Sequence, residues 1–152
     1  MADSITDIEY RQDLHLIRLV SGENKMFYVS FDYTVAFKNN GNQETVTVKK
    51  GVGTDLASIP SIVPKWIAAK VDSHLEAAVV HDYLYKYGTY DRETADNIFL
   101  AGMEAANFSW LKRQAMYRAV RLLGESFYAP DPTRPVKPID DSRPTRNGQP
   151  IP

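Results

Sequence analysis

The sequence has no cysteine. Disulfides and thiolate metal sites are therefore excluded, and the chain suits a reducing cytoplasm at synthesis. It also lacks an excess of either charge: 18 Lys and Arg stand against 19 Asp and Glu, a formal net charge of -1. That balance offers no electrostatic argument for nucleic acid or an anionic membrane as partner. No apolar run approaches the roughly 20 residues of a membrane span. The N-terminal Met-Ala-Asp-Ser is polar, so neither a signal peptide nor a transmembrane helix is expected. Imidazole is scarce, with three histidines at 15, 74 and 81. Proline is nearly missing from the body of the chain, because seven of the nine prolines fall at 130–152.

What is present suffices for one globular domain. The 152 residues, 43% of them hydrophobic, can bury roughly two thirds of the unfolded surface. Residues 1–12 are polar and read as irregular. Leu14, Leu16 and Arg18, interleaved with His15, Ile17 and Leu19, predict a strand. Ser21, Gly22, Glu23 and Asn24 form a turn. Residues 26–37 are rich in aromatic and β-branched side chains and predict one long strand. Asn39-Asn40-Gly41-Asn42 is a hairpin turn, and residues 44–49 should pair back antiparallel. After Gly51 the period changes to helical. A short helix is expected within 62–71, carrying Trp66 and Ile67. A second runs to Gly88, capped by Asp72 or Ser73. A third, at 92–107, has Asp91 as N-cap. A fourth begins after Ser109 and runs to Gly124 or Phe127. In that last helix Leu111, Ala115, Ala119, Val120, Leu122 and Leu123 read as the apolar side, and Lys112, Arg113, Arg118 and Arg121 as a solvated basic side. The expected fold is α+β: a small N-terminal antiparallel sheet of about three strands packed by three to four C-terminal helices. Residues 1–128 make the domain. The proline-rich remainder, 129–152, cannot bury enough surface to fold alone and should lie extended against a partner.

Polar groups interrupt apolar surroundings in one stretch. Ala77, Ala78, Val79, Val80, Tyr83 and Leu84 leave the 76–87 helix almost no polar face, yet His81 and Asp82 sit in its middle. A buried carboxylate is costly unless paired, hydrogen-bonded or metal-bound. Tyr85, four residues after His81, shares its face. Upstream, Gly51-Val52-Gly53-Thr54-Asp55-Leu56-Ala57-Ser58-Ile59-Pro60 turns on two glycines, and Asp55 and Ser58 either fix that loop or point beside His81. Downstream, Asp96 borders the stripe made by Ala95, Ile98, Phe99, Gly102, Met103 and Ala106.

Three chemistries suit this set. The first is a buried polar network that fixes the register between sheet and helices. The second is a divalent metal site for Zn, Mn or Mg, with Asp55, His81, Asp82 and Asp96 as candidate ligands. Against it, neighbours on a helix diverge by about 100°. The third is metal-free hydrolysis, with Ser58 as nucleophile, His81 as base, and Asp82 and Tyr85 as further candidates; Ser58 lacks a nucleophile-elbow context. No cofactor is the expectation over any metal. Tyr83, Tyr85, Tyr87 and Tyr90 are expected in core packing rather than along a sugar groove. His15 and His74 are expected at the surface.

The glycine loop at 51–60, together with Ala78-Val79-Val80-His81-Asp82-Tyr83-Leu84-Tyr85, Ala95-Asp96-Asn97-Ile98-Phe99, Met116-Tyr117-Arg118-Ala119-Val120-Arg121 and Gly124, resembles domain of unknown function 1353. This is a family of small bacteriophage and prophage proteins, and the likeness covers roughly residues 48–126. The family usually carries bulkier residues where Val52 and Gly53 stand. The resemblance implies an α+β fold, a phage origin and convergence of Asp55, His81, Asp82 and Asp96. It implies no established reaction. The functional expectation is a virion structural or assembly protein, tail-associated, made in the host bacterial cytoplasm. It would contact other phage structural proteins, or copies of itself, through the proline-rich tail and a sheet edge. The alternative is a metal-dependent hydrolase of peptidoglycan or peptide using Asp55, His81 and Asp82.

Overall fold

A computed structural model describes residues 4–18, 27–54, 75–139, 145–146 and 149–150. The architecture is α+β, as the change of period at Gly51 predicts. Six strands come first: β1 (Ile5–Tyr10), β2 (Leu16–Arg18), β3 (Phe27–Val29), β4 (Tyr33–Asn39), β5 (Asn42–Val48) and β6 (Gly53–Thr54). Helices α1 (Leu75–Tyr87), α2 (Arg92–Ala105) and α3 (Trp110–Leu123) follow, then a 3-10 turn at Glu125–Phe127. A terminal pair of two-residue strands, β7 (Thr145–Arg146) and β8 (Gln149–Pro150), lies antiparallel. The short helix expected within 62–71, the cap at Asp72 or Ser73, and His74 lie outside the described residues.

Instead of one N-terminal sheet there are two three-stranded antiparallel sheets, ordered β1-β4-β5 and β2-β3-β6. The single strand expected over residues 26–37 is divided between them. Its middle, Ser30-Phe31-Asp32, leaves the ladder because its polar groups are satisfied elsewhere. Ser30 N and Oγ both donate to His15 O, at 2.9 and 3.1 Å. Asp32 Oδ1 accepts from Lys50 N at 2.8 Å. One continuous run of β-forming residues thus serves two sheets.

The polar N-terminal segment is a strand, not irregular. In β1 the register against β4 shifts between Thr6 and Glu9, and Asp7 takes φ 54°. This bulge inserts one residue. Ile5, Ile8 and Tyr10 therefore pack on the core with a 3-then-2 spacing, which hides the alternation that marks a strand. The β4–β5 hairpin runs in register from Tyr33↔Val48 to Asn39↔Asn42. Its turn residues Asn40 and Gly41 take φ 51° and 84°, the conformation of a two-residue hairpin turn. Tyr33, Val35, Phe37, Val46 and Val48 form the buried face, and Val79, Val80, Leu84 and Tyr85 of α1 join the same core cluster.

A second core cluster joins α1 to α2 and α3 through Ala77, Phe99, Met103, Met116 and Val120. Gly102 allows close packing there: a Cβ would stand 2.9 Å from Ala77 Cβ and 2.8 Å from Tyr10 Oη. α1 ends as expected at Gly88, which takes φ 54° and donates to Leu84 O at 3.0 Å. Asp91 caps α2, accepting from Thr94 N at 3.0 Å.

The first part of the tail is extended, and it lies on its own domain. Ala129 N and Asp131 N donate to Tyr85 O and Lys86 O, capping the carbonyl end of α1. Lys137 N donates to Gly51 O at 2.9 Å, and Tyr87 Oη donates to Pro135 O at 3.3 Å. Lys137 Nζ also stands 5.2 Å from the Tyr28 ring centroid. A side chain at Gly51 or Gly88 would overlap Lys137 or Pro130. Residues 129–139 therefore form a strap tying the glycine loop to the end of α1.

Candidate functional site

The polar centre of the molecule is Asp96, on the inner face of α2 and 0% exposed. Its Oδ1 accepts from His81 Nε2 at 2.7 Å and from Tyr85 Oη at 2.6 Å. Its Oδ2 accepts from Arg121 Nη1 at 2.8 Å, with Arg92 Nη1 at 3.8 Å. Three helices thus meet on one carboxylate. His81 and Tyr85 reach it because four residues bring them to one face of α1, and their rings lie 4.2 Å apart. Phe99 closes the other side of the imidazole at 4.7 Å. Gly124 leaves room for the Tyr85 hydroxyl, since a Cβ there would stand 2.9 Å from it.

The electrostatics follow from this geometry. Burial pushes the Asp96 carboxyl up, but the hydrogen bonds from His81 and Tyr85, the charge of His81 and the hydrogen bond from Arg121 outweigh it. The group is held below the ordinary carboxylate range. An ionised carboxylate only accepts, so the proton between His81 and Asp96 sits on Nε2. That leaves Nδ1 as the ring nitrogen able to serve another partner. Burial, then the hydrogen bond and charge of Asp96, drive the Tyr85 hydroxyl far upward, so it stays protonated. Arg121 loses some of its preference for charge through burial and regains more from Asp96.

The sequence candidates divide. His81, Tyr85 and Asp96 come together. Asp82 does not join them: one position along α1 turns it about 100° away. Lys86 Nζ lies 3.1 Å from Asp82 Oδ2 and donates to Gly53 O at 3.2 Å. Asp82 thus belongs to the glycine-loop side of α1, and the fourfold convergence implied by the resemblance does not occur. Asp55 and Ser58 lie outside the described residues. Tyr83 and Tyr87 stack on each other at 5.0 Å, and Tyr90 Oη donates to Glu44 Oε1 at 2.6 Å. His15 is exposed and meets Phe31 edge-on at 5.3 Å.

Arg92 and Arg121 are the members that sequence reasoning missed. Arg121 is not on a solvated face; it turns inward to Asp96. Arg92 donates to Val120 O and Arg121 O, both at 3.1 Å, closing the carbonyl end of α3. A signal was present in the spacing Arg113, Tyr117, Arg121. All three reach inward, to Phe108 O, Asn97 Oδ1 and Asp96 Oδ2 respectively. The reverse correction holds for Leu111, Leu122 and Leu123, which are exposed.

As a metal centre the set fits poorly. His81 and Asp96 share a hydrogen bond where a metal would have to stand between them, and Asp96 already has three donors. Among the described residues no three His, Asp or Glu side chains converge to hold an ion. What the arrangement does chemically is orient one imidazole and neutralise one buried carboxylate. No helix among the described residues is long and apolar enough to cross a membrane.

No curated protein and no solved structure matches the chain. A family match does exist, to "Protein of unknown function (DUF1353)", over residues 28–120. It takes in β3 to β6 and most of the helical layer, including His81, Asp96 and Val120. With more than half its length matched, the chain belongs to the DUF1353 family.

Proposed function

We propose that the protein is a bacteriophage virion structural or assembly protein, tail-associated, made in the host cytoplasm and carried in the particle. It contacts other phage structural proteins or copies of itself. The observation that carries this reading is an apolar ridge on α3. Leu111 and Leu122 are 66% and 81% exposed, and with Ala115 they share one helical stripe at i, i+4 and i+11. Trp110 and Leu123, about 100° to either side of that stripe, and Phe127 after the helix are also exposed, by 63%, 56% and 47%. Arg118, also exposed, stands in the same stripe between Ala115 and Leu122, so the face is mixed: large apolar side chains in water around one cation. Clustered exposed apolar side chains mark an interaction site. The open edge of β5 and the chain beyond residue 139 supply further contacts. The family resemblance, with its phage and prophage members, supplies the setting.

The test is mass spectrometry of purified particles from a phage carrying this gene. The chain should be present in fixed proportion to known tail subunits, and Leu122→Lys should remove it from particles while the free protein stays folded. Absence of the wild-type chain from particles would end this reading.

One observation favours a second reading, a metal-dependent hydrolase of peptidoglycan or peptide. A carboxylate that accepts from one imidazole nitrogen is the arrangement that orients a catalytic or metal-bound histidine, and Asp96 does this for His81. His81 with Asp55 would then supply the reactive groups. Cell-wall hydrolysis lost in His81→Ala and retained in Leu122→Lys would support it; no hydrolysis by the wild type would remove it.

A further inference from the structure

We infer that the open edge of β5 pairs antiparallel with the same edge of a second copy of this chain, joining two sheets into one. This deepens the assembly reading, on which it rests for its setting, by naming the occupant of one surface.

The unpaired groups follow from the register. Asn39↔Asn42 closes the two-residue turn, so those two residues exchange their backbone hydrogen bonds. Bonded pairs then recur at every second residue, at Phe37↔Glu44, Val35↔Val46 and Tyr33↔Val48. The alternate residues of β4 turn the other way, toward β1: Thr34 O accepts from Arg11 N at 3.0 Å. On β5 the alternate residues are Gln43, Thr45 and Thr47. β5 has no second neighbour in its sheet. Among the described residues nothing bonds to the N–H and C=O groups of these three.

The two edges of this sheet differ. β1 is guarded in the manner usual for an outer strand. Its bulge breaks the row at Asp7, and Asp7 and Glu9 stand exposed along it. β5 has neither bulge nor proline, and its register is unbroken from Asn42 to Val48. Its outward residues Gln43, Thr45 and Thr47 are uncharged. A recess of about 260 Å3, lined by residues 44–47, Tyr83, Thr89 and Tyr90, separates β5 from the end of α1. That gap leaves the edge open to an incoming strand, and an unguarded edge is a template for one.

The row of free groups selects its occupant. It is symmetric about Thr45. An antiparallel copy therefore sets Thr45 against Thr45 and Gln43 against Thr47, and every donor meets an acceptor. A Thr–Thr pair across two strands is stabilising. No like charges stand directly opposite, because Glu44 lies across from Val46. The formal net charge of -1 adds little repulsion between copies. So short a paired row belongs to the small, weak class of interfaces, and the dimer should form in the micromolar range.

The experiment is analytical ultracentrifugation of the full chain across the micromolar range, with amide exchange followed alongside. The wild type should approach twice the monomer mass as concentration rises. Exchange at Gln43, Thr45 and Thr47 should slow with it, while Glu44 and Val46 stay protected throughout. Thr45→Lys sets two ammonium groups face to face and should raise Kd about tenfold. An equimolar mixture of Thr45→Lys and Thr45→Glu should dimerise again, because position 45 meets itself in this register. The Thr45 side chain is exposed, and circular dichroism of each variant checks that the fold is kept. Leu122→Lys, on α3, should leave the dimer intact. A wild type that stays monomeric, a dimer that Thr45→Lys leaves unchanged, or a mixture that fails to restore it would overturn the pairing. A monomer found in particles would overturn the pairing and leave the assembly reading standing. A dimer absent from particles would do the reverse.

Discussion

Arg121 Nη1 lies 2.8 Å from Asp96 Oδ2 while His81 Nε2 holds the other oxygen at 2.7 Å. One carboxylate thereby fastens α3 to α2 and α2 to α1. A buried ion pair of this kind is worth little against a well-packed apolar alternative, but losing one partner is expensive. Asp96→Ala would strand His81, Tyr85 and Arg121 together, and should cost roughly 3–5 kcal/mol. Arg121→Met should cost less, about 1–2 kcal/mol, since the guanidinium is 31% exposed and partly screened. Urea denaturation of the three proteins checks the order.

The same carboxylate sets a response to acid. The folded-state pKa of Asp96 is depressed, so its contribution is fully present above the unfolded value of about 3.9. That contribution fades as pH falls through the folded value. Denaturation midpoints measured from neutral pH down to about 3 should therefore drop more steeply in the wild type than in Asp96→Asn, which has lost the titrating group.

The strap is tested by two glycines. Gly88 and Gly41 both take positive φ, but a Cβ at Gly88 would overlap Pro130 whereas Gly41 faces open space. Gly41→Ala should cost about 1–2 kcal/mol for the backbone alone. Gly88→Ala should cost more and speed proteolysis of residues 129–139. Equal costs with an unchanged digestion pattern would mean that the strap contributes nothing there.

On the α3 ridge, Leu122→Lys should change stability by no more than about 0.5 kcal/mol, because the side chain is already in water. Its effect should appear only where other subunits are present.

Much of this was legible in the sequence, and the exceptions have physical causes. The hairpin at Asn40-Gly41, the stop at Gly88 and the cap at Asp91 are local, so local residue chemistry reveals them. The β1 strand was hidden by the bulge at Asp7, which breaks the two-residue period. The division of residues 26–37 was hidden because β3 and β4 are equally good strands and only Ser30 and Asp32, finding partners in His15 and Lys50, separate them. At the site, burial of α1 exposed the need for partners to His81. The angle between successive helical residues was enough to separate Asp82 from it. Arg121 was misplaced because a basic helix face usually faces solvent. Only the buried charge of Asp96, 25 residues earlier in the chain and on another helix, gives it a reason to turn inward.

The central claim is that the His81–Asp96 pair is a buried fastening between helices and that function lies on the surfaces. Metal content of the purified protein by mass spectrometry, wild type beside His81→Ala, tests it most directly when read with the stability of each. The expected result is no stoichiometric Zn, Mn or Mg in either protein, with the variant less stable by roughly 2–4 kcal/mol. Near one equivalent of metal in the wild type, lost in a variant of unchanged stability, would contradict it.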